Sequence, residues 1–144
     1  GGSFFASDTS FGLIRGGHVD ATVLGTLEVN QTGDIANWVV PGKSVPGMGG
    51  AMDLVVGAKK VYIATTHTTK KGGAKILKQC RLPLTAVGVA SMIVTEFAVF
   101  SIADGKMTLI EKAPEVTLEQ IREHTEAEFD VADPLHPIKG MEVA

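Results

Sequence analysis

The sequence predicts an α/β domain: an open layered sheet with short helices and additional antiparallel hairpins. Three observations predict it. Strand-like and short helical runs interleave from Ser7 to Val131. A β-branched and aromatic stretch from Met92 to Lys112 turns back on itself at Ala103-Asp104-Gly105-Lys106. Thr117-Leu118-Glu119-Gln120 has the capping-box spacing that opens a helix. Such interleaving belongs to a layered α/β fold, not to an all-helical bundle or a sandwich.

Taken in order, Ser7 or Asp8 is expected to cap a helix through Phe11, Leu13, Ile14 and Arg15, with Gly16-Gly17 as its left-handed stop. His18 to Leu24 reads as a strand with Val19, Ala21 and Val23 on one face. Leu27 and Val29 lead into the polar turn Asn30 to Asp34, and Ile35 to Val40 returns as the second arm of a hairpin. Ala51 to Ala58 has helical composition, with Met52, Val55 and Val56 directed inward, and Lys60 to Thr65 is strand-like. Thr66 to Gly73 reads as an exposed loop and Ala74 to Gln79 as one or two helical turns. Pro83 makes Arg81 to Thr85 an edge or irregular segment, because proline cannot donate to a ladder. Met92 to Ile102 is expected to pair with Met107 to Lys112, Leu118, Ile121 and Arg122 continue the capped helix, and Phe129 to Val131 is a last short strand. A flexible tail is expected over 133–144, which contains Pro134 and Pro137.

The 144 residues fit one domain, 1–144, with no internal linker or repeat, and a chain of this length buries roughly 68–70% of its unfolded surface. Hydrophobic residues at 44% against 20% charged exclude a disordered chain. A net charge of −3 leaves no broad cationic surface, so neither nucleic acid nor an anionic membrane is an expected partner. The basic clusters Lys59-Lys60, Lys70-Lys71 and Lys75-Lys78-Arg81 read as solvated surface, with contact to a phosphate-bearing ligand as the alternative. The single cysteine, Cys80, cannot form an internal disulfide and reads as a small buried hydrophobe, which fits a cytoplasmic location. The nearly apolar run from Ala86 to Val94 is far short of the ~20 residues that span a bilayer, and no secretory signal opens the chain. Position 1 is Gly, which fits a fragment or a processed product.

The stretch from Pro41 to Val55 carries most of the chemistry. Gly47-Met48-Gly49-Gly50 sets bare backbone at the start of the expected helix, where N–H groups lack intrahelical partners and negative charge is welcome. A phosphate, a carboxylate or a developing oxyanion suits such a place. The third glycine of a dinucleotide fingerprint is missing, and Gly42-Lys43-Ser44 lacks the upstream glycine of a P-loop. His18, His67, His124 and His136 are too scattered for metal-ligand spacing, so no metal is expected. Ser44, Ser91 and Ser101 lack a nucleophile-elbow context. Trp38 reads as a core anchor, Asn37 beside it can orient a ligand at the loop mouth, and Glu96 reads as an outward or paired carboxylate.

These words also resemble a family. Ser7-Asp8, Ser10 to Asp20, Ala36 to Lys43, Gly47 to Val55, Leu82 to Thr85 and Val94-Thr95-Glu96 are similar, in the same order from about Gly2 to Val131, to the beta (B) subunit of 3-oxoacid CoA-transferases. The resemblance implies a CoA-transferase-like fold and transfer of coenzyme A between an acyl-CoA and a short-chain carboxylic acid through anhydride and thioester intermediates on a glutamate. Coenzyme A is then a substrate, and no cofactor is bound permanently. Gly50 matches the family's backbone oxyanion donor, with Gly49 and Ala51 beside the thioester; Asn37 and Lys43, in matched words flanking the loop, are further substrate or CoA contacts. The family's Ser-Glu-Asn-Gly segment, which holds the nucleophile, does not occur, and Glu28, Glu96 and Glu111 match no catalytic position. The resemblance therefore implies a B-subunit domain incomplete at its N-terminus and inactive alone. Its expected partners are an A (alpha) subunit and the missing N-terminal part of the beta chain, and its start is expected to expose unpaired strand edge or apolar surface. A noncatalytic interaction domain of the same fold and a sugar-phosphate-binding protein are the alternatives.

Overall fold

The structure, a computed structural model, describes residues 2–39, 42 and 49–140. Along the chain follow α1 (Ser7–Arg15), β1 (Thr22–Leu24), β2 (Glu28–Asn30), β3 (Ile35–Ala36), α2 (Ala51–Gly57), β4 (Val61–Ala64), β5 (Ile76–Leu77), β6 (Ala90–Val94), β7 (Ala98–Ala103), β8 (Lys106–Lys112), α3 (Leu118–Glu123) and β9 (Asp130–Pro137). Six strands form one sheet in the order β1-β4-β6-β7-β8-β9, and β3-β2-β5 form a second. In the large sheet β1, β4 and β6 run parallel, β7 reverses, and β8 and β9 run parallel to each other. In the small one β2 pairs antiparallel with β3 and parallel with β5.

Local chemistry explains several boundaries. The N–H of His18 reaches Leu13 O and that of Gly17 reaches Ile14 O, both at 3.0 Å, while Gly17 takes φ +72°, so α1 closes in a Schellman turn. That turn consumes His18, and the strand expected from there shortens to β1. At the other end the N-cap is Ala6, without a side-chain cap. Asp8 is the second helical residue, past the capping position, and accepts Thr9 N–H at 2.8 Å instead. Asp104 and Gly105, with φ +51° and +71°, turn β7 into β8, where Ser101 faces Thr108 in the expected hairpin. Both halves of the capping box form before α3: Thr117 N–H donates to Gln120 Oε1 at 2.8 Å, and Gln120 N–H to Thr117 Oγ1 at 3.2 Å.

Four expectations are corrected. Ile76 and Leu77, expected in helical turns, are fully buried as β5 opposite Val29 and Asn30, because burial beside β2 outweighs local propensity. The stretch from Met92 to Ile102 is two strands, since Thr95 Oγ1 gathers the N–H groups of Phe97 and Ala98 into a turn. The segment expected as a tail from residue 133 begins inside β9, where His136 and Pro137 face Glu111 and Lys112. Of the three residues expected to face inward from α2, Val55 does, whereas Met52 and Val56 are 48% and 79% exposed. Adjacent valines on a helix point about 100° apart, so both cannot enter one core.

The core joins both sheets: Val29, Ile35 and Ile76 pack with Ile63, Ile93, Phe100, Leu109 and Ile121. The outer edges of the large sheet differ. β9 carries Pro134, Pro137 and the exposed Asp130 and Asp133, features that blunt an edge. β1 has β4 on one side and, among the described residues, no strand on the other; its Val23 is 64% exposed.

Candidate functional site

Helix α2 returns to β4 through Ala58, Lys59 and Lys60 alone. Lys60 O accepts Thr22 N–H at 2.9 Å, and Lys59 N–H reaches Val19 O at 3.1 Å, so the end of α2 sits at the amino ends of β1 and β4. Seven helical residues cover about 10 Å, and the helix packs on α1 and β1. Open α/β sheets take their ligands at the carboxyl ends of their parallel strands. The helix itself starts at the glycine pair.

Gly49 there is exposed with φ +58°, in the left-handed region that favours glycine. Gly50 is half-buried at the N-cap, with φ −84° and ψ 8°, and its carbonyl accepts Leu54 N–H at 3.2 Å. Among the described residues no acceptor meets its N–H. A Cβ at this position would collide with the Phe11 ring, so α1 backs the Gly50 peptide closely. Ala51, half-buried, is the first residue of α2.

Asn37 follows β3, half-buried, with its N–H on Thr85 Oγ1 at 2.9 Å. No hydrogen bond among the described residues joins it to the glycine pair. Trp38, expected as a core anchor, is half-buried and donates Nε1–H to Leu84 O at 3.3 Å. Lys43 lies outside the described residues.

A polar cluster lies just beyond the carboxyl ends of β1, β4 and β6, and sequence reasoning did not assemble it. His67, fully buried, hydrogen-bonds Thr95 Oγ1 through Nδ1 and Thr125 Oγ1 through Nε2, both at 2.9 Å, and stacks on Phe97 with centroids 4.9 Å apart. Thr95 Oγ1 also accepts two backbone N–H groups, at 3.2 and 3.1 Å, and its hydroxyl lies 3.1 Å from Ala98 O, to which it can donate. Both ring nitrogens of the imidazole thereby meet a threonine hydroxyl. Burial, opposed by Glu96 and aided by His124, pushes its pKa down to about 4. The His67 peptide N–H meets both oxygens of the exposed Glu96 carboxylate, at 3.1 and 2.9 Å, so Glu96 is the paired carboxylate expected of it. Lys75 Nζ donates to Thr65 Oγ1, whose hydroxyl in turn donates to Thr26 O at 3.2 Å. Burial lowers the Lys75 pKa against the raising influence of Glu96.

The basic cluster around Lys75 thus divides. Lys78 and Arg81 are solvated and paired with Glu128 and Glu126, as surface charge should be, whereas Lys75 is half-buried. Cys80 is also half-buried, with Sγ 3.6 Å from Asp34 O; burial first, then Glu28 and Asp34, pushes its thiol up to about 12. At pH 8 only about one molecule in 10⁴ would carry a thiolate. A maleimide should therefore label the folded chain far more slowly than the urea-unfolded chain; equal rates would refute this shielding. Among the described residues no three His, Cys, Asp or Glu side chains converge as metal ligands, and no helix is long and apolar enough to cross a membrane.

The fold is shared with an acyl-CoA transferase of Escherichia coli, which superposes with a TM-score of 0.82 at 23% identity over 95% of this chain and 31% of that one. The layered arrangement of mixed sheet and short helices is thus of the CoA-transferase type. A family model described as coenzyme A transferase matches residues 1–124, and the chain belongs to that family. It is 58% identical to the beta subunit of the acetate CoA-transferase of Haemophilus influenzae, over 99% of this chain and 66% of the relative. It is 52% identical to the B subunit of the succinyl-CoA:3-ketoacid coenzyme A transferase of Helicobacter pylori, over 91% and 63% respectively. The chain therefore spans just under two thirds of the length of these relatives.

Proposed function

We propose that this chain is a segment of a CoA-transferase beta subunit and forms the wall of the site that holds the CoA thioester, with the Gly50 N–H as oxyanion donor. One observation carries the reading: the Gly49-Gly50 peptide, backed by Phe11 at the start of α2, has no described acceptor for its N–H. In the proposed reaction a glutamate outside these residues attacks the thioester carbonyl. The C–S bond breaks, coenzyme A leaves as thiolate, and an acyl-glutamyl anhydride forms. The thiolate then attacks the glutamyl carbonyl, releasing the first carboxylate and leaving a glutamyl-CoA thioester, from which an acceptor acid takes coenzyme A by the reverse steps. Each attack places negative charge on a carbonyl oxygen, which is what a main-chain donor at this point would meet.

The same reading assigns partners. The open edge of β1 and the exposed Val23, Met52 and Val56 would be covered by the remaining part of the beta chain or by an alpha subunit. Gly49, Ala51, Asn37 and Lys43 would line the substrate and CoA. The 144-residue chain alone is expected to show no transfer of CoA from acetyl-CoA to a carboxylate, and a full-length beta chain assembled with its alpha partner is expected to show it. Turnover by the purified chain alone that survives removal of each of its glutamates in turn would overturn the mechanism.

A further inference from the structure

Among the described residues the lysines and arginines either stand in solvent or meet carboxylate or carbonyl oxygens, with one exception. Arg15, Lys59, Lys78 and Arg81 each meet a carboxylate, and Lys112 Nζ gathers the carbonyls of Ala113, Pro114 and Val116. Lys75 is half-buried, and its described partner is a neutral hydroxyl, that of Thr65. No carboxylate among the described residues lies within ion-pair distance of it. The Thr65 hydroxyl gives its own proton to Thr26 O, so it can only accept from the ammonium. Two of the three ammonium N–H groups are then without a described partner. A cation drawn part-way out of water in this state gains most from an anionic oxygen.

Its support is unusually well fixed for a surface lysine. Lys75 O takes Val29 N–H at 3.0 Å and Lys75 N–H reaches His67 O at 3.4 Å, which ties the base of the side chain to β2 and to the buried His67. Thr65 directly follows β4, so the ammonium stands at the carboxyl edge of the parallel strands. Glu96, on the His67 N–H beyond β6, is the carboxylate whose charge reaches Lys75.

We propose that Lys75, seated on Thr65, binds an anionic oxygen group of the ligand, either the carboxylate of the acid or a phosphate of coenzyme A. This rests on the CoA-transferase reading above and adds a ligand-binding residue to it.

The test uses the full-length beta chain assembled with its alpha partner, with acetyl-CoA and succinate varied independently. Lys75→Met, which keeps the stem and removes the charge, is expected to raise KM for at least one substrate by about 10–100-fold at unchanged melting temperature. Lys75→Arg should recover most of that loss. A rise confined to succinate assigns the carboxylate, and one confined to acetyl-CoA assigns the phosphate. Unchanged KM for both, or a rise accompanied by a lower melting temperature, overturns the proposal. Should the Met variant fail to assemble, Thr65→Val decides: it frees the ammonium from its seat and should raise KM for at least one of the two substrates at unchanged melting temperature, and wild-type KM for both overturns the proposal. If the wild-type assembly itself transfers no CoA, it is the functional reading that fails.

Discussion

Replacing Gly50 by proline in the assembled enzyme is expected to lower kcat by about 10²–10³ relative to replacing it by alanine. The comparison is informative because of the packing around this residue. A Cβ at position 50 meets the Phe11 ring, so both variants share that disturbance of α1. Only proline also removes the N–H, and the backbone at φ −84° lies close to the angle that its ring imposes. The carbonyl that accepts Leu54 N–H is kept in both. A donor that acts chiefly on charge developed in the transition state should appear in kcat with little change in KM. Equal kcat in the two variants, at matched melting temperatures, would remove Gly50 from the mechanism.

The second large effect concerns His67 and acid. With its pKa pushed down to about 4 in the folded chain against 6.5 in the unfolded one, the unfolded chain binds the extra proton first as pH falls. Stability from this residue is complete above about pH 6.5, declines as acid is added, and is fully lost below about pH 4. The shift corresponds to about 3 kcal/mol. Urea unfolding of wild type and His67→Gln should therefore give free energies whose difference shrinks by about that amount between pH 7 and pH 4. The glutamine lacks the titration but can still hydrogen-bond Thr95 or Thr125. Parallel curves would show that the buried imidazole is not what responds to acid.

What the sequence discloses and what it withholds separate by distance along the chain. The Thr117 capping box and the β7–β8 hairpin depend on residues within a few positions of each other, and their chemistry is legible as written. β5 is not, because Ile76 and Leu77 become a strand only through β2, far upstream. His67 is similarly hidden, since its two threonines lie 28 and 58 residues away. Lys75, Lys78 and Arg81 look alike in a basic cluster, and it is the docking of β5 that holds the first half-buried while the others stay in solvent. The glycine pair is readable as bare backbone, yet what makes residue 50 intolerant of a side chain is Phe11, on another helix. Asn37 illustrates the converse: a resemblance can nominate a residue, whereas the fold shows its peptide engaged with Thr85.

The unequal rims of the large sheet also bear on stoichiometry. Ile76 O on β5 is already taken by Glu126 and Ala127, β3 is bridged by Ala86, and β9 is sealed by its prolines and aspartates. Among the described residues β1 is the one strand edge left open, so copies of this chain that met through it would occupy that edge in doing so. Growth by edge pairing would then halt at a closed two-fold pair.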